Sequence, residues 1–211
     1  MHPNRTFRKP DTARNIAFAR SRAFGTLAIN AEDGPQPGPL MSHIPFLLSE
    51  DGASVELHLV RSNPIVRALQ NDVPAVIAVT GGDAYVSPDW YEVEDQVPTW
   101  NYVAVNLRGT LQRLADDQLH GILQRLSAHQ EKQLRPKRPW TSDKMDQIVY
   151  SKMQRQIVPI RMAVSDIQGT WKLSQNKPDD VRLRAADGVE QARLGLATES
   201  IHPLMRDPDG D

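Results

Sequence analysis

Residues 83–102 read DAYVSPDWYEVEDQVPTWNY and carry five of the chain's eight Trp and Tyr side chains: Tyr85, Trp90, Tyr91, Trp100 and Tyr102. Pro88 and Pro98 fix their own φ and push Ser87 and Val97 away from helical geometry. Gly81 and Gly82 stand just before the stretch. A helix is therefore excluded, and the segment reads as strand, ordered loop, strand. Flat side chains on a stiff path do one of two things. They pack as a small aromatic core under the loop, or they offer contact area to a flat ligand at little rotamer cost.

On the upstream side, 74–80 (PAVIAVT) is a continuous apolar run that suits a buried strand. Before it, 63–70 starts a short helix at Asn-Pro, and 54–60 (SVELHLV) alternates as a strand. Glu50, Asp51 and Gly52 make the hairpin turn back to a strand over 40–48. Residues 32–39 (EDGPQPGP) form a turn-rich connection, 24–30 (FGTLAIN) a strand, and 11–22 a helix with Asp11 as its cap. On the downstream side, 102–114 is a strand, 116–133 a helix by its Leu119, Ile122, Leu123 and Leu126 spacing, and 142–154 a helix capped by Ser142. Residues 157–173 return to strand character with an interruption at 166–169. The polar tail beyond Asn176 is assigned no structure. Strands at hairpin spacing with helices set apart predict an antiparallel barrel with attached helices, not βαβ units.

Composition narrows the class. The chain has 211 residues, 39% hydrophobic and 24% charged, with no Cys and a formal net charge of −1. This is globular material without disulfides or thiolate metal sites, consistent with a cytoplasmic protein. The basic N-terminal residues have no apolar run behind them and are not read as a secretory signal. No apolar run is long enough to span a bilayer. The near-neutral charge and the missing helix-turn-helix pattern speak against direct DNA binding. Arg135, Lys137 and Arg138, broken by two prolines, read as a solvated loop.

Three short strings carry the polar chemistry. In 42–46 (SHIPF), His43 either donates to a ligand or is a satisfied histidine. In 58–64 (HLVRSNP), the Arg61 fork, Ser62 and Asn63 form an anion cradle or simply cap the next helix. In 172–176 (KLSQN), four polar residues meet a ligand edge or leave as a solvated loop. Dinucleotide, P-loop, serine-hydrolase and zinc-protease motifs are missing, and none of the six His residues has metal-ligand spacing. No catalytic residue is assigned.

Taken in order, 23–27 (AFGTL), SHIPF, His58 with Arg61, Asn63 and Pro64, DAYVSPDWY, VPTWNYVAV and KLSQN resemble the PaiB-like family of FMN-binding split-barrel proteins. These are relatives of the pyridoxamine phosphate oxidase-like flavoproteins. The resemblance spans residues 1–180, with a helical insertion at 116–154, and leaves 181–211 as a C-terminal tail. It implies a six-stranded antiparallel split β-barrel, mainly β with attached helices, that forms a homodimer and binds FMN. The cofactor-binding set it implies is Ser42, His43, Ile44, His58, Arg61, Ser62, Asn63, Tyr85, Trp100, Asn101, Lys172, Ser174, Gln175 and Asn176. Ile65, Asn106 and Trp171 depart from the family's pattern. The implied function is an FMN-binding protein, with flavin-dependent oxidoreductase chemistry as one reading. A transcriptional regulator, the family's usual label, is an alternative. A haem-binding or haem-degrading protein with His43 or His58 as axial ligand is a third.

Overall fold

The structure, a computed structural model, describes residues 2–31 and 38–210. Most of the turn expected at 32–39 lies outside the described residues, and Gly38 and Pro39 already belong to a strand. Helix α1 (Thr12–Arg22) begins where the Asp11 carboxylate accepts the Arg14 N–H at 2.8 Å, the bond that makes Asp a good N-cap. The other elements are β1 (Phe24–Ala31), β2 (Gly38–Pro45), β3 (Leu47–Leu48), β4 (Ser54–Val60), α2 (Pro64–Ala68), β5 (Val73–Val86), β6 (Thr99–Arg113), α3 (Leu119–Lys132), α4 (Gln147–Gln154), β7 (Ile157–Lys172), α5 (Asp179–Ala192) and α6 (Thr198–Arg206). Among the described residues no helix is long and apolar enough to cross a membrane.

The sheet is antiparallel where its register is defined, in the order β2-β1-β5-β6-β7-β4-β3. It has seven strands where six were expected. The extra strand arises at 40–48, which the sequence presents as one strand. Pro45 has no N–H to continue a ladder, and the Phe46 N–H goes instead to the Ala23 carbonyl at 3.0 Å. The chain therefore leaves β1 and, one residue later, pairs with β4. β2 and β3 are the two edges of the sheet, and Phe46 alone joins them. The sheet has to curl for that, yet β2 pairs with β1 and β3 with β4, and no ladder closes the gap. This is a split barrel.

The chain divides into two compact units, and β5, β6 and β7 contribute residues to both. One unit comprises Ala19–Ala78 and Leu107–Ile167. Its core takes alternate residues of β4 (Val55, Leu57 and Leu59) with Phe46, Leu48, Ile160 and Met162, as a strand with one buried face requires. On the other face of β4, Glu56 receives Arg125 of α3 through two bonds of 2.8 Å and Arg161 of β7 at 3.3 Å. The Arg125 bond, ahead of the Arg161 contact, holds the Glu56 carboxyl below its ordinary pKa. Gly109 is required where β6 crosses β7, since a Cβ would sit 2.0 Å from the Ala163 carbonyl oxygen. Helix α4 starts later than expected. Ser142 opens only a short 3₁₀ turn, and Asp146 is the cap, accepting the Ile148 and Val149 N–H groups at 2.9 Å each. A carboxylate satisfies two donors and complements the positive end of the helix.

The other unit comprises Met1–Phe18, Val79–Asn106 and Gln168–Asp211. Two expectations are corrected by these strands and helices. β7 runs without interruption through 166–169, because a strand with an open face tolerates Asp166 and Gln168. Gly169 leaves room for Asn15, whose Oδ1 a Cβ there would meet at 2.0 Å. The segment beyond Asn176 is not structureless. It forms α5 and α6, which bury Val181, Ala185, Val189, Ile201 and Met205 against Tyr91, Val103, Trp171 and Leu173. The i, i+4, i+8 stripe of α5 is present in the sequence but diluted by Arg, Asp and Glu on its outer face. Asn15 also accepts the Trp171 indole N–H at 2.9 Å, with Arg14 over the ring at 4.1 Å.

Truncating a fully buried Ile side chain costs about 2–5 kcal/mol. Ile201→Ala is therefore expected to lower the urea midpoint of the whole protein, which equilibrium unfolding will measure. A change under about 0.5 kcal/mol, the size typical of a surface site, would show that α6 is not part of this core.

Candidate functional site

The strings singled out in the sequence are brought together in two groups, one in each unit. In the first, β2 and the start of α2 meet. Asn63 caps α2 by accepting the Ile65 N–H at 2.9 Å and donates Nδ2 to the Ser42 hydroxyl at 3.1 Å. His43 is exposed, with Nδ1 3.0 Å from the Thr26 hydroxyl across the β1–β2 register. Ile44 points the other way and is buried, as the alternation of a strand demands. Ser62 is exposed. His58 is half-buried. Its Nδ1 has no hydrogen-bond partner among the described residues, and burial lowers its pKa, so the ring is neutral at pH 7.

Arg61 is more engaged than the sequence suggests. Its Nε donates to the Arg155 carbonyl at 3.1 Å, and Nη2 donates to the Ile157 carbonyl at 3.2 Å and to Asp116 at 3.0 Å. Arg113 reaches the same carboxylate at 3.4 Å. The Arg61 bond, then the Arg113 bond, holds the Asp116 carboxyl below its ordinary range. Nη1 takes no part in these bonds, so two of the five guanidinium donors stay available.

The second group grows from the aromatic stretch, which splits by residue. A short 3₁₀ helix, Pro88–Tyr91, forms after β5 where no helix was expected, because Ser87 caps it by accepting the Asp89 N–H and Pro88 fits its first position. Tyr91 in it is buried, and Trp90 lies against α5, where a Cβ on Gly188 would come within 2.4 Å of the indole. These two are packing. Tyr85 and Trp100 form an edge-to-face pair at 6.0 Å, and Trp100 keeps 47% of its surface exposed. Asn101, next in the strand, faces the opposite side and is fully buried. Its Nδ2 donates to the Ser174 hydroxyl at 2.9 Å, which also lies 3.1 Å from the Tyr91 hydroxyl. The Asn101 Oδ1 has no partner among the described residues. Burial, ahead of the Ser174 bond that opposes it, raises the Tyr91 pKa.

The 172–176 string is likewise mostly engaged. The Lys172 ammonium donates to the Thr99 hydroxyl, and burial lowers its pKa. Gln175 folds back on the strand end, accepting the Leu173 N–H at 2.8 Å and donating to the Trp171 carbonyl at 2.5 Å. Asn176 is exposed. Ser174 itself is held at φ 62°, a left-handed conformation that costs a non-glycine residue about 1–2 kcal/mol. The side chains open to solvent are thus His43, Ser62, Trp100 and Asn176, with Arg61 and Tyr85 partly so. Ile44, Asn101 and Ser174 support them from inside. Thr26, Tyr91 and Thr99, which orient them, lay within the strings quoted from the sequence but not in the cofactor-binding set; Asp116, which holds Arg61, had no signal beyond its place at a helix start.

The model of a family described as "Putative FMN-binding domain" matches residues 1–166. The chain belongs to this family. The family assignment agrees with a curated relative, "Protease synthase and sporulation protein PAI 2" of Bacillus subtilis (strain 168). It is 32% identical over 166 residues, which are 76% of this chain and 75% of the relative. Two solved structures share the fold of this FMN-binding-family chain. The FAD and heme binding protein of Mycobacterium smegmatis superposes with a TM-score of 0.57 at 19% identity, covering 90% of this chain and 82% of that one. A flavocytochrome of Azotobacter vinelandii gives 0.54 at 11% identity, covering 81% and 72%.

The buried Asn101–Ser174–Tyr91 cluster makes a stability prediction. Ser174→Ala leaves two buried groups unpaired and is expected to cost about 1–3 kcal/mol. Ser174→Gly removes the same hydroxyl but relaxes the left-handed backbone, so it should cost about 1 kcal/mol less. Denaturant titration of both variants checks the order; equal losses would mean the backbone at 174 is unstrained.

Proposed function

We propose that this chain binds FMN, and that the flavin supplies whatever redox chemistry the protein performs. The observation that carries the reading is the FMN-binding family match over residues 1–166, together with a half-exposed Trp100 held beside Tyr85. An isoalloxazine ring needs a flat, partly apolar neighbour, and Trp100 offers one without unpacking the core. A phosphate needs donors, and the free Nη1 of Arg61, the Ser62 hydroxyl and His43 are donors at the surface of their own unit. Asn101 and Ser174 keep the strand behind Trp100 in place, while Asp116 and the carbonyls of Arg155 and Ile157 hold the Arg61 guanidinium in one plane. When bound, FMN takes up and releases electrons; the protein's residues hold it and set its surroundings. The Bacillus subtilis relative's name does not mention flavin, so the family match and the side chains above bear the proposal. An oxidoreductase fits this equipment, since no protein nucleophile is needed.

A homodimer in the cytoplasm belongs to the same proposal. Met41, Val60, Ile148, Val149 and Met153 are large apolar side chains exposed on one unit, and Ile148 shows 69% of its surface. A second copy is the partner that would cover such residues.

Titration with FMN and with riboflavin, followed by flavin fluorescence, tests the assignment of each group. Arg61→Ala is expected to weaken FMN at least tenfold and leave riboflavin unchanged, because only FMN carries the phosphate. Trp100→Ala should weaken both. Protein that is colourless as purified and takes up neither flavin would end the proposal. Sedimentation at micromolar concentration is expected to show a dimer, and Ile148→Asp to shift it toward monomer.

A further inference from the structure

One cavity takes no part in the flavin reading. It lies between α3 and the segment 139–150, has a volume of about 560 Å³, and is built entirely within one unit. That volume falls in the range of small-molecule sites, about 300–1,000 Å³. Leu123 and Ala128 of α3 form one wall, and Trp140 and Tyr150 the other. The aromatic wall is fixed in place. The Glu131 carboxylate accepts the Trp140 backbone N–H at 2.8 Å and the Lys137 ammonium, and Lys144 donates to the Pro139 carbonyl at 2.9 Å. The Tyr150 ring meets His120 edge-on at 5.9 Å, and Asp146 caps the helix that carries it.

The polar lining of this cavity combines hydroxyl and amide groups with two cations, an indole and one carboxylate. Lys132 and Arg135 line it, and neither side chain has a hydrogen bond or ion pair among the described residues. The indole N–H of Trp140 has no such partner either, and the residue is 36% exposed. The charged acceptor in the lining is Asp143, and the Thr141 hydroxyl, ahead of its other contacts, keeps that carboxyl below its ordinary pKa and hence ionised. Lys144 and Arg138 add positive potential beside Asp143. Two unpaired cations and one indole donor therefore lie with a single carboxylate at a largely apolar cavity.

We infer that this cavity is a binding site for a flat aromatic acid, with the ring between Leu123 and the Trp140–Tyr150 wall and the carboxylate against Lys132 and Arg135. Arg135 was read in the sequence as part of a solvated basic loop; the fold separates it from Lys137, which Glu131 neutralises, and leaves it at the cavity. The site stands apart from the residues proposed for FMN, and its occupancy does not depend on that proposal.

Calorimetric titration of the full chain with three naphthalene probes tests the inference. Naphthalene-2-carboxylate is expected to bind at least ten times more tightly than the 2-aminomethyl cation, with the 2-carboxamide between them. Lys132→Gln with Arg135→Gln should erase that order, and Trp140→Ala should weaken all three probes. Both variants alter partly exposed side chains, and thermal melting confirms that they fold. FMN titration run alongside is expected to be unchanged by them. Absence of carboxylate binding at millimolar probe, equal binding of anion and cation, or displacement of the carboxylate by FMN would each overturn a separate aromatic-acid site. So would probe affinity that falls as protein concentration rises, since a second copy would then be filling the cavity.

Discussion

One residue, Phe46, joins the two edge strands of a seven-stranded sheet, and much of the architecture follows from it. A flat sheet would place its edges several strands apart, at nearly 5 Å per strand; a single residue cannot span that distance. The sheet therefore curls until β2 and β3 are neighbours along the chain while staying unpaired to each other. Phe46 makes this possible through two properties of its position. Pro45 ends the first ladder by lacking an N–H, and the Phe46 side chain is fully buried, so the crossover is anchored in the core. The same crossover sets Ser42 and His43 near the end of β2, where Asn63 can reach Ser42.

The aromatic stretch shows how a strand's two-residue period divides labour. Trp100 and Asn101 are neighbours in sequence and face opposite sides. One is half exposed, and the other anchors a buried hydrogen-bond cluster with Ser174 and Tyr91. The cluster is expensive in backbone terms, because Ser174 holds a left-handed φ. It persists because a hydroxyl at that point meets both the Asn101 Nδ2 and the Tyr91 hydroxyl, and α5 and α6 close the apolar shell around it. A polar network of this kind specifies one arrangement of the strand ends more sharply than apolar packing does. The exposed indole is thereby held on a rigid base, which is the condition for contributing binding energy without an ordering cost.

Several carboxylates among the described residues are shared locally. Glu56 is shared by Arg125 and Arg161, Asp116 by Arg61 and Arg113, and Glu131 takes Lys137. Two groups of cations keep donors in reserve at the sites described. Arg61 retains Nη1 in the group proposed to meet a phosphate, and Lys132 with Arg135 retain theirs at the cavity beside α3. A net charge near zero hides both, since it reports the sum and not the residues left unpaired.

Local chemistry alone determined a good deal. The Asp11 cap, the 50–52 turn, the alternation of β4 and the Asn63–Pro64 helix start each depend on residues within a few positions of one another. Those interactions are encoded in short windows, and the antiparallel fold class followed from their order, while the family came from the resemblance of the quoted strings. Tertiary structure decided what depends on distant partners. The division of 40–48 at Phe46 rests on competition between β1 and β4 for the same segment. The helices beyond Asn176 needed the core of Tyr91 and Trp171 to make a weak apolar stripe worth burying. Whether Arg61 is a free cation was also beyond the sequence, because Asp116, which lies 55 residues away, takes one of its donors. Burial and long-range pairing are properties of the folded ensemble of contacts, so no reading of neighbours along the chain can supply them.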